Sequence, residues 1–343
     1  MGEELLDDSA GVSAGGAVLE QPRSSRLFIE VQSAADLRER LIRDVRAGFG
    51  ARPLSVASRW LYDARGSALF EELARQPEHY LARAELTLVA RAADELIAVT
   101  QPEELVEVGR ASAPRSRLLL DAVSRGGLRP RLVAIDAGKA SLLASAAELA
   151  AEHPWLAVSG VVDDWERGLA RLDPGPRRLV VLAGGALGTL SPSEATRLLT
   201  DCARLAGDED HLLIGCDLAK PVEVVEAAYR DAAGAAAAFN LNLLRVLDEE
   251  LGADFEPARF RHRAAWSPVR SQIELSLVSD RAQVVTIPPA RLRVRLSEGD
   301  AIRTEIHRTF TREAIEALLA VCGFAVMRWW EEDGVALALA ARK

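Results

Sequence analysis

Apolar positions in the first hundred residues recur at helical spacing. Leu37, Leu41, Ile42 and Val45 follow Ser33 and Asp36, whose side chains can accept hydrogen bonds from a first turn, so an amphipathic helix is predicted there. The aromatic and charged segment Trp60-Leu61-Tyr62-Asp63-Ala64-Arg65-Gly66-Ser67 reads as a shaped loop leading into the periodic set Leu69, Phe70 and Leu73. From 81 to 98, Leu86, Val89, Ala90, Ala93, Leu96 and Ile97 again follow a 3.6-residue period. The pattern then changes: Leu105–Gly109, Arg131–Asp136, Leu156–Val162, Arg178–Ala183 and Leu212–Cys216 are short apolar runs separated by helical stretches. Such alternation predicts βαβ units, a parallel sheet and an α/β fold.

The helix before the last of these runs carries its own start signal in Ser191-Pro192-Ser193-Glu194: a cap, a first-turn proline and a reciprocating glutamate. Beyond 218, helical patterns over 221–233 and 235–251 precede alternating runs at Ile273–Leu277, Val284–Ile287 and Leu292–Leu296, predicted as antiparallel strands. A helix over 311–322 stops at Cys322-Gly323, and strands at Met327–Trp330 and Val335–Ala340 close the chain. These patterns divide the chain into a tail (1–25), an N-terminal part of a second domain (26–83), a central parallel domain (84–218) and the C-terminal part of the second domain (219–343). The tail is rich in Gly, Ser, Ala and Glu and has no periodicity, so disorder is expected there.

Composition narrows the function. Hydrophobic residues make up 49% and charged residues 27%, the mix of a water-soluble globular chain. The net charge of -9 comes without a basic stripe, which argues against nucleic acid as a partner. No run approaches the roughly 18 apolar residues of a membrane span, and the first residues are acidic, so a cytoplasmic protein is expected. Cys202, Cys216 and Cys322 lie far apart inside apolar runs and read as reduced core residues.

In a doubly wound sheet, ligands sit beyond the carboxyl ends of the strands. The first run ends at Gly109-Arg110-Ala111-Ser112, where a glycine lets backbone approach a cofactor although Ala111 replaces the usual second glycine. The second ends at Asp136, a carboxylate placed to accept ribose hydroxyls or simply to sit solvated at a strand end. The third ends at Asp163-Asp164-Trp165, able to hold and cover an adenine, and the fourth at Gly184-Gly185-Ala186-Leu187-Gly188-Thr189-Leu190, a backbone-rich floor.

Taken with Trp60 to Phe70, Ala82-Arg83-Ala84-Glu85, Ala228 to Gly234, Ala238-Phe239-Asn240-Leu241-Asn242 and Trp329-Trp330, the chain from about residue 37 onward resembles the histidine Nα-methyltransferases of ergothioneine biosynthesis. The resemblance implies a class I, Rossmann-like methyltransferase domain with a second α+β substrate-binding domain closing over an amino acid, and S-adenosylmethionine as cofactor. It implies that Tyr62, Gly109, Asp136, Asp164 and Gly184 line the cofactor site, that Tyr229 holds the substrate carboxylate and that Glu305 holds a histidine imidazole.

Three substrate positions depart from the family: His79 replaces a tyrosine, Thr189 an amine-binding asparagine and His307 a serine. A pocket built on buried hydrogen bonds discriminates strongly when a partner group changes. The expected activity is therefore N-methylation of the α-amine of histidine or a related small amino acid. The alternative is a non-catalytic relative that binds a small molecule or a partner protein. A metal site from His79, Glu305 and His307 is not expected, because only 305 and 307 are placed together by a strand's two-residue period. Arg110 has three open roles: stacking on adenine, pairing with Asp136, or filling the space of a sulfonium.

Overall fold

The computed structural model describes residues 11–13, 27–109, 113–173, 175 and 177–343. The expectation of a disordered tail, and the three roles considered for Arg110, fall almost wholly outside the described residues. The chain opens with β1 (Gly11–Ser13), β2 (Leu27–Val31), α1 (Ala34–Gly50), β3 (Leu54–Ser55), α2 (Ala64–Arg75) and α3 (Tyr80–Thr100). Alternation follows: β4 (Glu104–Val108), α4 (Ala113–Arg125), β5 (Arg131–Asp136), α5 (Lys139–Glu152), β6 (Val158–Val162), α6 (Trp165–Leu169), β7 (Arg178–Leu182), α7 (Pro192–Leu205) and β8 (His211–Asp217). The remainder comprises α8 (Val222–Ala227), α9 (Ala235–Leu251), β9 (Phe260–Ser267), β10 (Gln272–Ser279), β11 (Gln283–Ile287), β12 (Leu292–Leu296), β13 (Ala301–Arg308), α10 (Arg312–Val321), β14 (Phe324–Glu332) and β15 (Val335–Arg342).

Local signals fix the helix starts. Ser33 caps α1 by accepting from the Asp36 amide, Asp63 caps α2 by accepting from Gly66, and Ser191 forms a capping box with Glu194 at α7. The central strands are buried on both faces, which is why β4, β6 and β7 are mostly apolar, with the polar residues Glu104, Glu107, Ser159 and Arg178 buried among them. The large sheet has the order β1-β2-β6-β5-β4-β7-β8-β15-β14. The chain moves outward from β4 through β5 to β6, then returns to the other side of β4 for β7 and β8. The carboxyl ends of β4 and β7 thus form the switch point where doubly wound sheets open a crevice. One face packs Leu88, Leu96 and Leu119 of α3 and α4 on the sheet, the other Leu198 and Leu199 of α7 and Ile315 of α10.

A second sheet, β3-β13-β10-β9, and the hairpin β11-β12 pack with α1, α2 and α9 around Leu41, Phe239, Leu243 and Ile302. Two expected boundaries move. Leu27–Val31 pairs in parallel with β6, and Val335–Arg342 pairs antiparallel with β8, so both ends of the chain extend the large sheet instead of joining the second unit. The physical reason is burial: β15 is an apolar strand whose Leu337 and Leu339 join the cluster with α3 and whose Ala336, Ala338 and Ala340 join that with α7 and α10. Met327 lies on β14, at the edge of the large sheet, and is exposed.

Between β10 and β13 the register shifts, with Leu275 opposite Glu305 and Ser276 opposite Arg303. Thr304 is the extra residue of this bulge, and its hydroxyl donates to the Leu275 carbonyl at 3.1 Å. Bulges re-aim neighbouring side chains, and this one adjoins Glu305.

Asp248, in the last turn of α9, accepts from the Phe255 amide at 3.1 Å, and burial pushes its carboxyl up to about 6. A carboxyl raised in the folded state contributes stability below its unfolded value near 4, and that contribution is lost as pH rises through about 6. Asp248→Asn keeps an acceptor for Phe255 and removes a negative charge from a helix carboxyl end. The variant is expected to melt at higher temperature than the parent at pH 8, with the difference vanishing at pH 4. An equal or lower melting temperature at pH 8 would contradict this account.

Candidate active site

A cavity of about 1240 Å3 opens at the carboxyl ends of the parallel strands, roofed by α1, α2, the start of α3 and β13. Of the ten positions singled out in the sequence, Tyr62, His79, Gly109, Asp136, Asp164, Gly184, Thr189 and Glu305 line it. Tyr229 and His307 do not; they stand behind the wall, in contact with His79 and Glu305 respectively.

Gly109 follows β4 with φ +73°, and among the described residues a Cβ built there would meet Ala186 at 3.7 Å. The left-handed backbone conformation calls for glycine there. Asp136 is buried at the end of β5, and its Oδ1 accepts from the Gly138 amide at 2.8 Å. At β7 the amide of Gly184 donates to Glu85 Oε2 at 2.5 Å.

Glu85 belongs to a buried cluster that the sequence did not disclose. Arg115 Nη1 donates to Glu85 Oε1 at 3.3 Å, and its Nη2 lies 4.0 Å from Glu107, which also receives the Ser116 hydroxyl. Burial pushes the Glu107 carboxyl up, against the opposing pull of Arg115.

Asp164 caps α6 through Oδ1, accepting from the Arg167 amide at 3.0 Å, while its Oδ2 meets Arg40 and, at 3.3 Å, Arg59. Asp163 behind it accepts from Arg40 at 3.0 Å and from Gln32, and burial raises its carboxyl. Both arginines come from elements more than a hundred residues earlier, so nothing in the local pattern announces them.

At the opposite end the Tyr62 hydroxyl donates to Glu305 Oε1 at 3.0 Å, and His307 Nε2 stands 3.1 Å from Glu305 Oε2. The His307 ring stacks on Tyr229 with centroids 4.6 Å apart. Tyr229 meets His79 edge-on at 5.9 Å, His79 meets Phe70 at 5.8 Å, and Phe70 and Phe239 both contact Tyr62. Thr189 sits on the turn after β7 and donates its hydroxyl to the Ala186 carbonyl at 2.9 Å.

Beside this wall Asp217, at the end of β8, accepts from Tyr80 Oη at 2.6 Å and pairs with Lys220 Nζ at 2.5 Å. Burial raises Asp217 and Tyr80 and lowers Lys220, while the Asp217–Lys220 contact pulls those two the other way. Among the described residues, no group of three or more His, Cys, Asp or Glu side chains is placed to hold a metal ion. No described helix is long and apolar enough to cross a membrane.

A family model described as histidine-specific methyltransferase, SAM-dependent, matches residues 41–342. The histidine N-alpha-methyltransferase of Mycolicibacterium smegmatis is 36% identical over 317 residues, covering 92% of this chain and 98% of the relative. That of Mycobacterium tuberculosis is 34% identical over 304 residues, covering 88% and 95%. The N-methyltransferase imqF of Aspergillus flavus is 24% identical over 314 residues, covering 87% and 85%. All three names are those of enzymes, and none supports the non-catalytic alternative.

Proposed function

The chain belongs to the histidine-specific, S-adenosylmethionine-dependent methyltransferases, and from that premise we propose that its cavity joins this cofactor to an amino acid and methylates the α-amine of histidine or a related small amino acid. The observation that carries the reading is one continuous cavity running from Gly109 and Asp136 at the switch point to the Tyr62–Glu305 contact.

The residues present fit the cofactor. Gly109 lines the cavity with a positive φ and offers its backbone to a ligand, and Asp136 offers a carboxylate to ribose hydroxyls. Asp164, held by its cap and two arginines, supplies an acceptor edge at the adenine end. Gly184, tied down by Glu85, forms the floor. When bound, the cofactor supplies a methyl group on a sulfonium, an electrophile that needs no acid at its leaving group.

The protein's share is positional. Thr189 orients the substrate amine, Glu305 and its neighbours receive the side chain with Tyr229 packed behind them against His79 and His307, and α1 and α2 keep water out. The amine attacks as its free base, so its proton departs before the N–C bond forms.

Calorimetric titration with S-adenosylhomocysteine tests the cofactor half, and mass spectrometry of an amino-acid pool after incubation tests the transfer. No heat at millimolar ligand would sink the reading. Tyr62→Phe removes a hydroxyl donor to a buried carboxylate, and kcat/KM is expected to fall about 10- to 100-fold. An unchanged kcat/KM would place Tyr62 outside the working site.

A further inference from the structure

We infer that Arg40 is a positioning residue for the cofactor's base: it holds the Asp164 carboxylate so that one acceptor position remains for the adenine amino group. The inference rests on the reading above that Asp164 stands at the adenine end. Each oxygen of a carboxylate carries two lone pairs. Oδ1 of Asp164 takes the Arg167 amide at 3.0 Å, and Oδ2 takes Arg40 Nη2 and, at 3.3 Å, Arg59 Nη1. Among the described residues this leaves a single acceptor position, on Oδ1, in a side chain that lines the cavity. A base with an exocyclic N–H fills that position, and a base without one leaves it empty.

The fork of Arg40 spans two carboxylates. The Asp164 amide donates to Asp163 Oδ1 at 2.7 Å, and Arg40 Nη1 meets the same oxygen at 3.0 Å while its Nη2 meets Asp164. Arg171 pairs with Asp163 and Arg59 with Asp164, but among the described residues only Arg40 pairs with both. Without the bridge the two adjacent carboxylates repel, and Oδ2 keeps only Arg59, which is more exposed than Arg40. Asp164 then retains its cap but not its fixed plane, and a ligand must order the acceptor as it binds.

Arg40 projects from α1, whose Leu41 and Val45 pack with the second sheet. The reading of the base at the end of β6 is thereby set from the other unit of the fold.

The test titrates the full chain with S-adenosylhomocysteine and with its deamino analogue, whose purine carries hydrogen in place of the amino group. The parent should bind S-adenosylhomocysteine at least about 10-fold more tightly than the analogue, the worth of one hydrogen bond to a charged acceptor. Arg40→Lys keeps the charge but has no fork. It should weaken S-adenosylhomocysteine about 10-fold and leave the analogue within about two-fold of the parent, so that the preference disappears. KM for S-adenosylmethionine should rise in parallel while kcat at saturating cofactor stays level, because the base is remote from the transferred methyl. Arg40→Met combined with Asp163→Asn leaves no buried charge stranded and should lose the same preference, which guards against a lysine variant that folds poorly. Variants that weaken both ligands equally, that keep the parent's preference, or that lower kcat with KM unchanged overturn the inference alone. A parent that binds the two ligands equally removes Asp164 from the adenine end, and one that binds neither at millimolar concentration removes the cofactor; the underlying reading then fails and the inference with it.

Discussion

Glu104→Ala is expected to lower the unfolding free energy by about 3–5 kcal/mol, the usual consequence of removing one partner from a buried ion pair. Glu104 opens β4 and is 0% exposed. Its Oε1 meets Arg178 and its Oε2 meets Arg131. Arg178 is 1% exposed and its Nη2 donates to the Asp173 carbonyl, so the variant leaves a buried guanidinium without its carboxylate. Arg131 is more exposed and can turn outward. Because Glu104 lies at the amino ends of the strands, affinity for S-adenosylhomocysteine should stay within about two-fold of the parent, less than one hydrogen bond's worth. Chemical denaturation measures the loss, and a value below about 1 kcal/mol would mean that the pair contributes no more than a surface one. Replacing both members by apolar residues of similar volume should recover most of the stability.

The second large effect concerns the proposed ribose contact. Asp136→Ala should weaken S-adenosylhomocysteine binding by on the order of 100-fold or more, since two hydrogen bonds to a charged acceptor are each worth about 1.5–3 kcal/mol. The same change loses the Asp136–Gly138 bond, a smaller effect that should appear as a modest drop in melting temperature without ligand. Asp136→Asn separates the two: it retains an acceptor for Gly138 but offers a weaker one to the ribose. Calorimetry showing affinity within about three-fold of the parent for Asp136→Ala would remove this residue from the site.

The contrast between these two residues shows what a sequence can carry. Asp136, Gly109 and Gly184 were legible because each follows an apolar run, and the strand end is itself the ligand-facing position. Glu104 with Arg178, Glu85 with Arg115, and Arg40 with Asp163 were not, because ion pairs across tens to more than a hundred residues leave no periodic trace. Strands followed the same rule. Fully buried parallel strands announced themselves as apolar runs, whereas Phe260–Ser267, interrupted by Arg261 and Arg263, and the short strand Leu27–Val31 did not. Sheet membership was less legible still. The run at Val335–Ala340 fits either sheet locally, and its partner β8 lies more than a hundred residues back. The meeting of Glu305 and His307 was half legible: a strand's period puts them on one face, but only the fold brings Tyr62 and Tyr229 to them.

The place of β15 has a bearing on how the chain is made. It fills the gap between β8 and β14, yet it is synthesised after both of them. From Asp217 until Val335 emerges, the nascent sheet carries an apolar, unpaired edge along β8. At usual elongation rates that interval is on the order of ten seconds. During it, the growing chain presents the kind of edge on which neighbouring chains nucleate aggregates. Loss of the last nine residues would make that exposure permanent, so truncation at this end should be read out in insolubility before it is read out in activity.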